Sequence, residues 1–156
     1  MEGDITQRAT VLCWRGIEHG IKAAKEGHDV IMAPTAYCYF DYYQTADPKG
    51  NEEPLAIGGC LPLRKCYEFD PFDQLNDDEK AHIRGIQANL WTEYIATFDH
   101  VQFMVLPRIA ALAEVAWNPD GRTEYGDFVD RIVSGLLPIY DLRGYNYAPY
   151  AFKDIE

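Results

Sequence analysis

The chain has 156 residues, 47% of them hydrophobic and 13% aromatic, enough to bury the core of one ordinary domain and too apolar for a disordered polymer. Asp and Glu number 25 against 14 Lys and Arg, a net charge of -11, which argues against nucleic acid or an anionic membrane surface as partner, since both need clustered cations. No apolar run approaches the roughly 20 residues of a membrane span, and Met1-Glu2-Gly3-Asp4 lacks a basic-then-apolar leader pattern.

Thr10-Val11-Leu12-Cys13-Trp14 predicts a buried strand, short and continuously apolar. Ile17 to Glu26 predicts a helix, with Ile17, Ile21 and Ala24 on one face and Gly27 past its end. Asp29-Val30-Ile31-Met32-Ala33 predicts a second strand, stopped by Pro34. A β-α-β unit of this kind implies parallel strands and a right-handed crossover. An aromatic stretch follows, Tyr37 to Gln44, just past a strand's carboxyl end, where parallel α/β folds carry their binding loops. Residues 45–82 are punctuated by Pro48, Gly50, Pro54, Gly58-Gly59 and Pro71, with short helices expected over Leu61–Tyr67 and Asp77–Ile83. Gly85 to Trp91 predicts the third strand. Asp99 is expected to cap a helix over His100–Trp117 that Pro107 bends or restarts. A last helix spans Tyr125–Tyr140, and Gly144 to Pro149 reads as irregular.

The four cysteines, Cys13, Cys38, Cys60 and Cys66, have no zinc spacing. Cys13 and Cys38 read as buried thiols, and Cys60 and Cys66 could pair across a turn or stay free. The four histidines also lack metal spacing and read as surface, capping or loop residues. Glu114 reads as a structural partner, and Tyr42 and Tyr43 as packing residues.

Three features stand at the carboxyl ends of three successive strands: Trp14, Tyr39-Phe40-Asp41 and Trp91-Thr92-Glu93. Along an extended chain, residues two apart share a face. A flat indole beside an acceptor-only carboxylate suits a sugar, whose C–H face stacks while its hydroxyls donate. Taken singly, Trp14 reads better as a core ring, while Trp91 reads equally well as core and Glu93 as the start of a solvated loop.

Five strings together resemble the family-20 glycoside hydrolases, the β-N-acetylhexosaminidases. They are Gly27-His28-Asp29-Val30-Ile31-Met32, Tyr39-Phe40-Asp41-Tyr42-Tyr43-Gln44, Glu53-Pro54-Leu55-Ala56-Ile57-Gly58-Gly59, Gln87-Ala88-Asn89-Leu90-Trp91-Thr92-Glu93-Tyr94 and Leu106-Pro107-Arg108-Ile109-Ala110-Ala111-Leu112-Ala113-Glu114. The resemblance implies an α/β fold, a partial (β/α)8 TIM barrel in which residues 1–150 supply strands six to eight with their helices and 151–156 form a tail. It implies a retaining, substrate-assisted glycosidase, in which the substrate's own acetamido oxygen attacks the anomeric carbon. An Asp orients that group and a Glu serves as acid and then base.

Carried over by resemblance, Trp14 walls the acetamido pocket and Tyr39 bonds the acetamido oxygen. Asp41 and Glu93 accept the O4 and O6 hydroxyls, and Trp91 is the floor under the terminal sugar. The family's His-x-Gly-Gly-Asp-Glu string is absent, and the only Asp-Glu, Asp78-Glu79, reads as the acidic start of a helix. Arg15, Arg64 and Arg108 do not match the family's sugar-binding Arg in context. The resemblance implies no cofactor, no metal, an N-acetylhexosamine-terminated glycan as ligand, and a secreted, periplasmic or lysosomal setting. The chain is expected to lack turnover by itself. Its partners are expected to be a second copy, through exposed barrel edges, or the N-terminal part of the barrel. The alternative is a non-catalytic, self-associating carbohydrate-binding or structural piece.

Overall fold

The computed structural model describes residues 9–150 and 152, so most of the expected 151–156 tail lies outside the described residues. Strands β1 (Val11–Cys13), β2 (Val30–Met32) and β3 (Ile83–Ile86) form a parallel sheet in the order β1-β2-β3. Helix α1 (Ile17–Lys25) makes the first crossover, burying Gly20, Ile21, Ala23 and Ala24. A Cβ on Gly20 would lie 2.4 Å from the Met32 sulfur, so the helix approaches the sheet as closely as this glycine allows.

The third strand begins earlier than the sequence predicted. Ile83, expected to close a helix, opens β3 opposite Val30, and helix α4 is only Asp77–Lys80. The register then slips: Ile31 pairs with Gly85, leaving Arg84 as the extra residue of a bulge. Gly85 has φ +156°, backbone that a side chain there would strain. Beyond Ile86 the segment expected as strand stays joined by single contacts. Gln87 N–H donates to the Met32 carbonyl at 2.9 Å, and Asn89 bridges Tyr39 in parallel.

Two short helices follow β2, α2 (Thr35–Cys38) and α3 (Leu63–Tyr67). Pro107 does divide the long predicted helix, into α5 (Phe98–Val105) and α6 (Arg108–Trp117). Its N-cap is Thr97, whose hydroxyl accepts from His100 N–H at 3.2 Å, rather than Asp99. The last helix is continuous but not uniform: α7 (Tyr125–Arg131), a π turn (Ile132–Leu136) and α8 (Leu137–Arg143). Pro138 is the second residue of α8, where its missing N–H leaves one backbone bond unmade at the exit from the wide turn. Gly144, at φ +64°, ends α8. The irregular stretch after it docks on α5, with Asn146 N–H donating to Gln102 at 2.9 Å and Ala148 N–H to the Leu106 carbonyl at 3.1 Å.

The main core joins the sheet to α1, α3, α6 and α7 through Val30, Met32, Phe40, Phe69, Leu112, Val115, Phe128 and Val129. All four cysteines are free thiols; Cys13, Cys38 and Cys66 are buried and Cys60 is exposed. His28, expected at the surface or in a cap or loop, is buried. Among the described residues no helix is long and apolar enough to cross a membrane.

Candidate functional site

Each residue singled out for sugar contact lies beyond the carboxyl end of a strand: Trp14 directly after β1, Tyr39 and Asp41 past β2 and the short α2, and Trp91 and Glu93 past β3. Trp14 follows β1, half exposed, above a groove of about 230 Å³ lined also by Leu12, Cys13, Arg15 and His19. The Arg15 guanidinium lies 5.0 Å over its ring. The Trp14 carbonyl accepts from the Thr35 amide at 2.8 Å, which ties the end of β1 to the segment after β2.

That segment carries Tyr39 and Asp41. Phe40 between them is buried in the core, and the chain turns there so that Asp41 is buried as well. The segment is held against the one after β3: Phe40 N–H donates to the Asn89 carbonyl at 2.7 Å, and Asn89 N–H to the Cys38 carbonyl at 2.8 Å. Two residues on, Trp91 is 54% exposed, with Glu93 exposed beyond it.

The structure brings four of these side chains together. Burial raises the Tyr39 hydroxyl above its ordinary pKa; the Trp91 side chain, facing it as a hydrogen-bond donor, works in the opposite sense, while Asp41 adds to the rise. Asp41 is only 4% exposed, and its Oδ1 has no hydrogen-bond partner among the described residues. Burial raises its carboxyl first, and the charge of Glu93 raises it further; the amides of Asp41 and Trp91 and the charge of Arg108 oppose the rise. A buried carboxylate with an unfilled acceptor is costly unless a donor is brought to it. Chemically the cluster offers one exposed aromatic plate, one phenol and two carboxylate acceptors. It holds no Asp-Glu pair and no nucleophile with an adjacent base.

Asp78-Glu79 is accounted for otherwise. Asn76 Oδ1 accepts from the Glu79 amide at 3.0 Å, and the Glu79 carboxylate accepts from the Asn76 amide at 2.9 Å. This reciprocal capping box opens α4. Glu114 is a structural partner as expected, bonded to Tyr67 and Arg131. No group of three or more His, Cys, Asp or Glu among the described residues could hold a metal ion.

Sequence reasoning passed over two residues that organise the cluster. Asn89 acts through its backbone, which composition cannot reveal. Arg108 is fully buried beneath the Phe40–Tyr42 segment. Its signal was a lone cation inside the apolar string Leu106 to Ala113, where a charge needs a partner.

The matches to known proteins follow the same segments. Residues 2–120 match the family model "Glycosyl hydrolase family 20, catalytic domain". A β-hexosaminidase of Porphyromonas gingivalis is 40% identical over 149 residues, covering 94% of this chain and 19% of that protein. A β-hexosaminidase of Akkermansia muciniphila is 32% identical over 141 residues, covering 88% of this chain and 27% of that protein. The crystal structure of a Vibrio harveyi GH20 exo-β-N-acetylglucosaminidase in complex with N-acetylglucosamine superposes with TM-score 0.79 at 29% identity, over 94% of this chain and 23% of that one. The chain thus spans about a fifth to a quarter of the length of these relatives. On sequence and fold together, it belongs to glycosyl hydrolase family 20, whose catalytic-domain model it matches over residues 2–120.

Proposed function

We propose that this chain forms the sugar-gripping part of a retaining, substrate-assisted β-N-acetylhexosaminidase that releases terminal N-acetylglucosamine or N-acetylgalactosamine. In this reading it supplies strands six to eight of a (β/α)8 barrel. Trp91 stacks under the terminal sugar, Asp41 and Glu93 accept its O4 and O6 hydroxyls, Tyr39 bonds the acetamido oxygen, and Trp14 walls the acetamido group. The observation that carries the reading is Asp41 Oδ1, a buried acceptor with no partner among the described residues, beside a second carboxylate and an exposed indole. Sugar hydroxyls are neutral donors that fill such acceptors without adding charge. The Vibrio harveyi relative was solved with N-acetylglucosamine bound, which favours the same ligand here.

The chain grips but does not cut, because the acid/base pair of the family is not in its sequence and Asp78-Glu79 serves as a helix cap. A chromogenic N-acetylglucosaminide assay on the purified chain should show no turnover. Titration with N-acetylglucosamine should change indole fluorescence in a Trp117→Phe background, which removes the most exposed of three indoles, and adding Trp91→Phe should identify the Trp91 part of that change. Turnover that disappears in Asp78→Asn and Glu79→Gln would overturn the assignment of that pair. An unchanged Trp91 signal would overturn the sugar site.

A second reading is favoured by the sheet edges. The outer sides of β1 and β3 have no neighbouring strand among the described residues, and Trp117, Leu142 and Phe98 are strongly exposed. Open edges and apolar patches promote association. Light scattering over a concentration series distinguishes a self-associating piece from a monomer.

A further inference from the structure

Arg108 is 0% exposed, yet none of its hydrogen bonds goes to a carboxylate. Nε donates to the Met104 carbonyl at 3.0 Å; Nη1 donates to the carbonyls of Tyr42 and Leu61, each at 3.0 Å; Nη2 donates to the carbonyls of Phe40 and Met104. All five guanidinium donors are used. They join the α5 end, the Leu61 turn and, above all, the two carbonyls that flank Asp41. The guanidinium also lies 5.0 Å from the Phe40 ring centroid.

Such a side chain neutralises no contacting anion, so its charge is left to act at longer range. Burial lowers the Arg108 pKa to about 10, against the opposing influence of Cys66, Glu53, Asp41 and Cys60. On Asp41 two charges act in opposite directions, Glu93 against ionisation and Arg108 in favour of it, while the phenol of Tyr39 in turn feels the charge of Asp41.

We propose that Arg108 is the positioning residue of this site: it clamps the backbone on both sides of Asp41 and supplies the buried positive charge that offsets Glu93, so that Asp41 meets its ligand as a fixed, ionised acceptor. The role rests on the sugar-binding reading above; the clamp and the charge coupling can be measured without any sugar. A lysine keeps the charge but cannot span four carbonyls, whereas methionine removes both.

The Asp41 carboxyl is followed by 13C NMR titration of the purified chain. In Arg108→Lys its midpoint should stay near that of the unaltered chain while amide protection at Phe40 and Asn89 falls. In Arg108→Met the midpoint should rise by about one pH unit, the scale of losing a nearby opposite charge. A measurement that needs no buried substitution accompanies these: Asp41→Asn should shift the Arg108 guanidinium 15N signals, whereas Asp47→Asn should not. Guanidinium signals indifferent to Asp41→Asn, or an Asp41 midpoint unmoved in folded Arg108→Met, overturns the proposal. If the coupling is present but N-acetylglucosamine moves neither the Asp41 carboxyl signal nor Trp91 fluorescence, the sugar-binding reading fails and the ligand-presenting role falls with it.

Discussion

Tyr39 and Asn89 pair as an isolated parallel bridge beyond the regular sheet. The bridge rests on two bonds, Phe40 N–H to the Asn89 carbonyl at 2.7 Å and Asn89 N–H to the Cys38 carbonyl at 2.8 Å. It joins the two segments that carry Tyr39 and Asp41 on one side and Trp91 and Glu93 on the other. Because backbone atoms form it, substitutions at Asn89 separate geometry from chemistry. Asn89→Ala keeps both bonds and should leave Trp91 fluorescence and its sugar response near those of the unaltered chain. Asn89→Pro removes the donor, leaves the Cys38 carbonyl unpaired and should cost about 1–3 kcal/mol, together with the sugar response. Equal behaviour of the two variants in urea unfolding and sugar titration would refute the bridge as organiser.

Asp41 should trade stability for binding. Its carboxyl is held above the ordinary range chiefly by burial, then by Glu93. The folded chain thus binds that proton more tightly than the unfolded chain. The resulting stabilisation is complete below the unfolded pKa and is lost as pH rises through the folded one. At neutral pH an ionised Asp41 therefore weakens the fold relative to a neutral isostere. Asp41→Asn should melt higher than the unaltered chain at pH 7, with the gap narrowing toward pH 3, and should lose the sugar response. Calorimetry at both pH values checks the sign.

The β-α-β unit was legible because Thr10 to Ala33 places one amphipathic helix between two apolar runs. The third strand was expected to start two residues too late, at Gly85 rather than Ile83, and to run on to Trp91 although it ends at Ile86. Its Gly85 looks like a break in sequence but serves as the far side of a bulge, so Ile83 and Arg84 belong to the strand. The capping box at Asn76 was half visible: the acidic run showed a helix start, but its shortness follows from the demand of β3 for Ile83. At the site, the residue types of Tyr39, Asp41, Trp91 and Glu93 were readable from their placement after strands. The burial of Asp41 was not, because it depends on Arg108, 67 positions along the chain and held from α6.

Asp29 gives the opposite pH dependence. Its carboxylate takes Arg84 at 2.9 Å and faces His82 at 3.6 Å. The Arg84 hydrogen bond holds it below the ordinary carboxylate range against the opposing influence of burial, with the Arg84 charge and then His82 adding to the effect. A depressed carboxyl stabilises the fold above its unfolded pKa, and that contribution is lost as pH falls through the folded value. Asp29→Asn should lower the melting temperature at pH 7 and make little difference near pH 2. Molar salt should shrink the neutral-pH gap, because the pair is partly exposed. A salt-independent gap would place the effect in packing instead.

Asn76→Ala removes the side-chain acceptor of the α4 capping box. Loss of such a cap costs typically about 1 kcal/mol. Glu79→Gln keeps an acceptor for the Asn76 amide and should be nearly neutral, and Asp78→Asn should be neutral as well. None of the three should alter the sugar response, since α4 precedes β3 and lies at the opposite end of that strand from Trp91. Urea midpoints and Trp91 titrations measured side by side test both halves of the claim.

Tyr67 tests whether the polar network behind the core matters only for stability. Its ring is buried and stacked on Phe128, with centroids 4.3 Å apart. Its hydroxyl lies 2.8 Å from the Thr123 carbonyl and 3.1 Å from Glu114 Oε1, which Arg131 also holds. Tyr67→Phe keeps the stack and deletes the bond, so the expected loss is about 1 kcal/mol, rising toward about 3 kcal/mol if the Thr123 carbonyl stays dry and unpaired. Each kcal/mol corresponds to roughly 2–4 °C of melting temperature in a chain of this size. The network joins α3, α6 and α7 rather than the segments after β2 and β3, so the Asp41 titration and the Trp91 response should not move. A shift in either would mean that α3 transmits strain through the Leu61 turn to Arg108, and the independence of core and site would have to be abandoned.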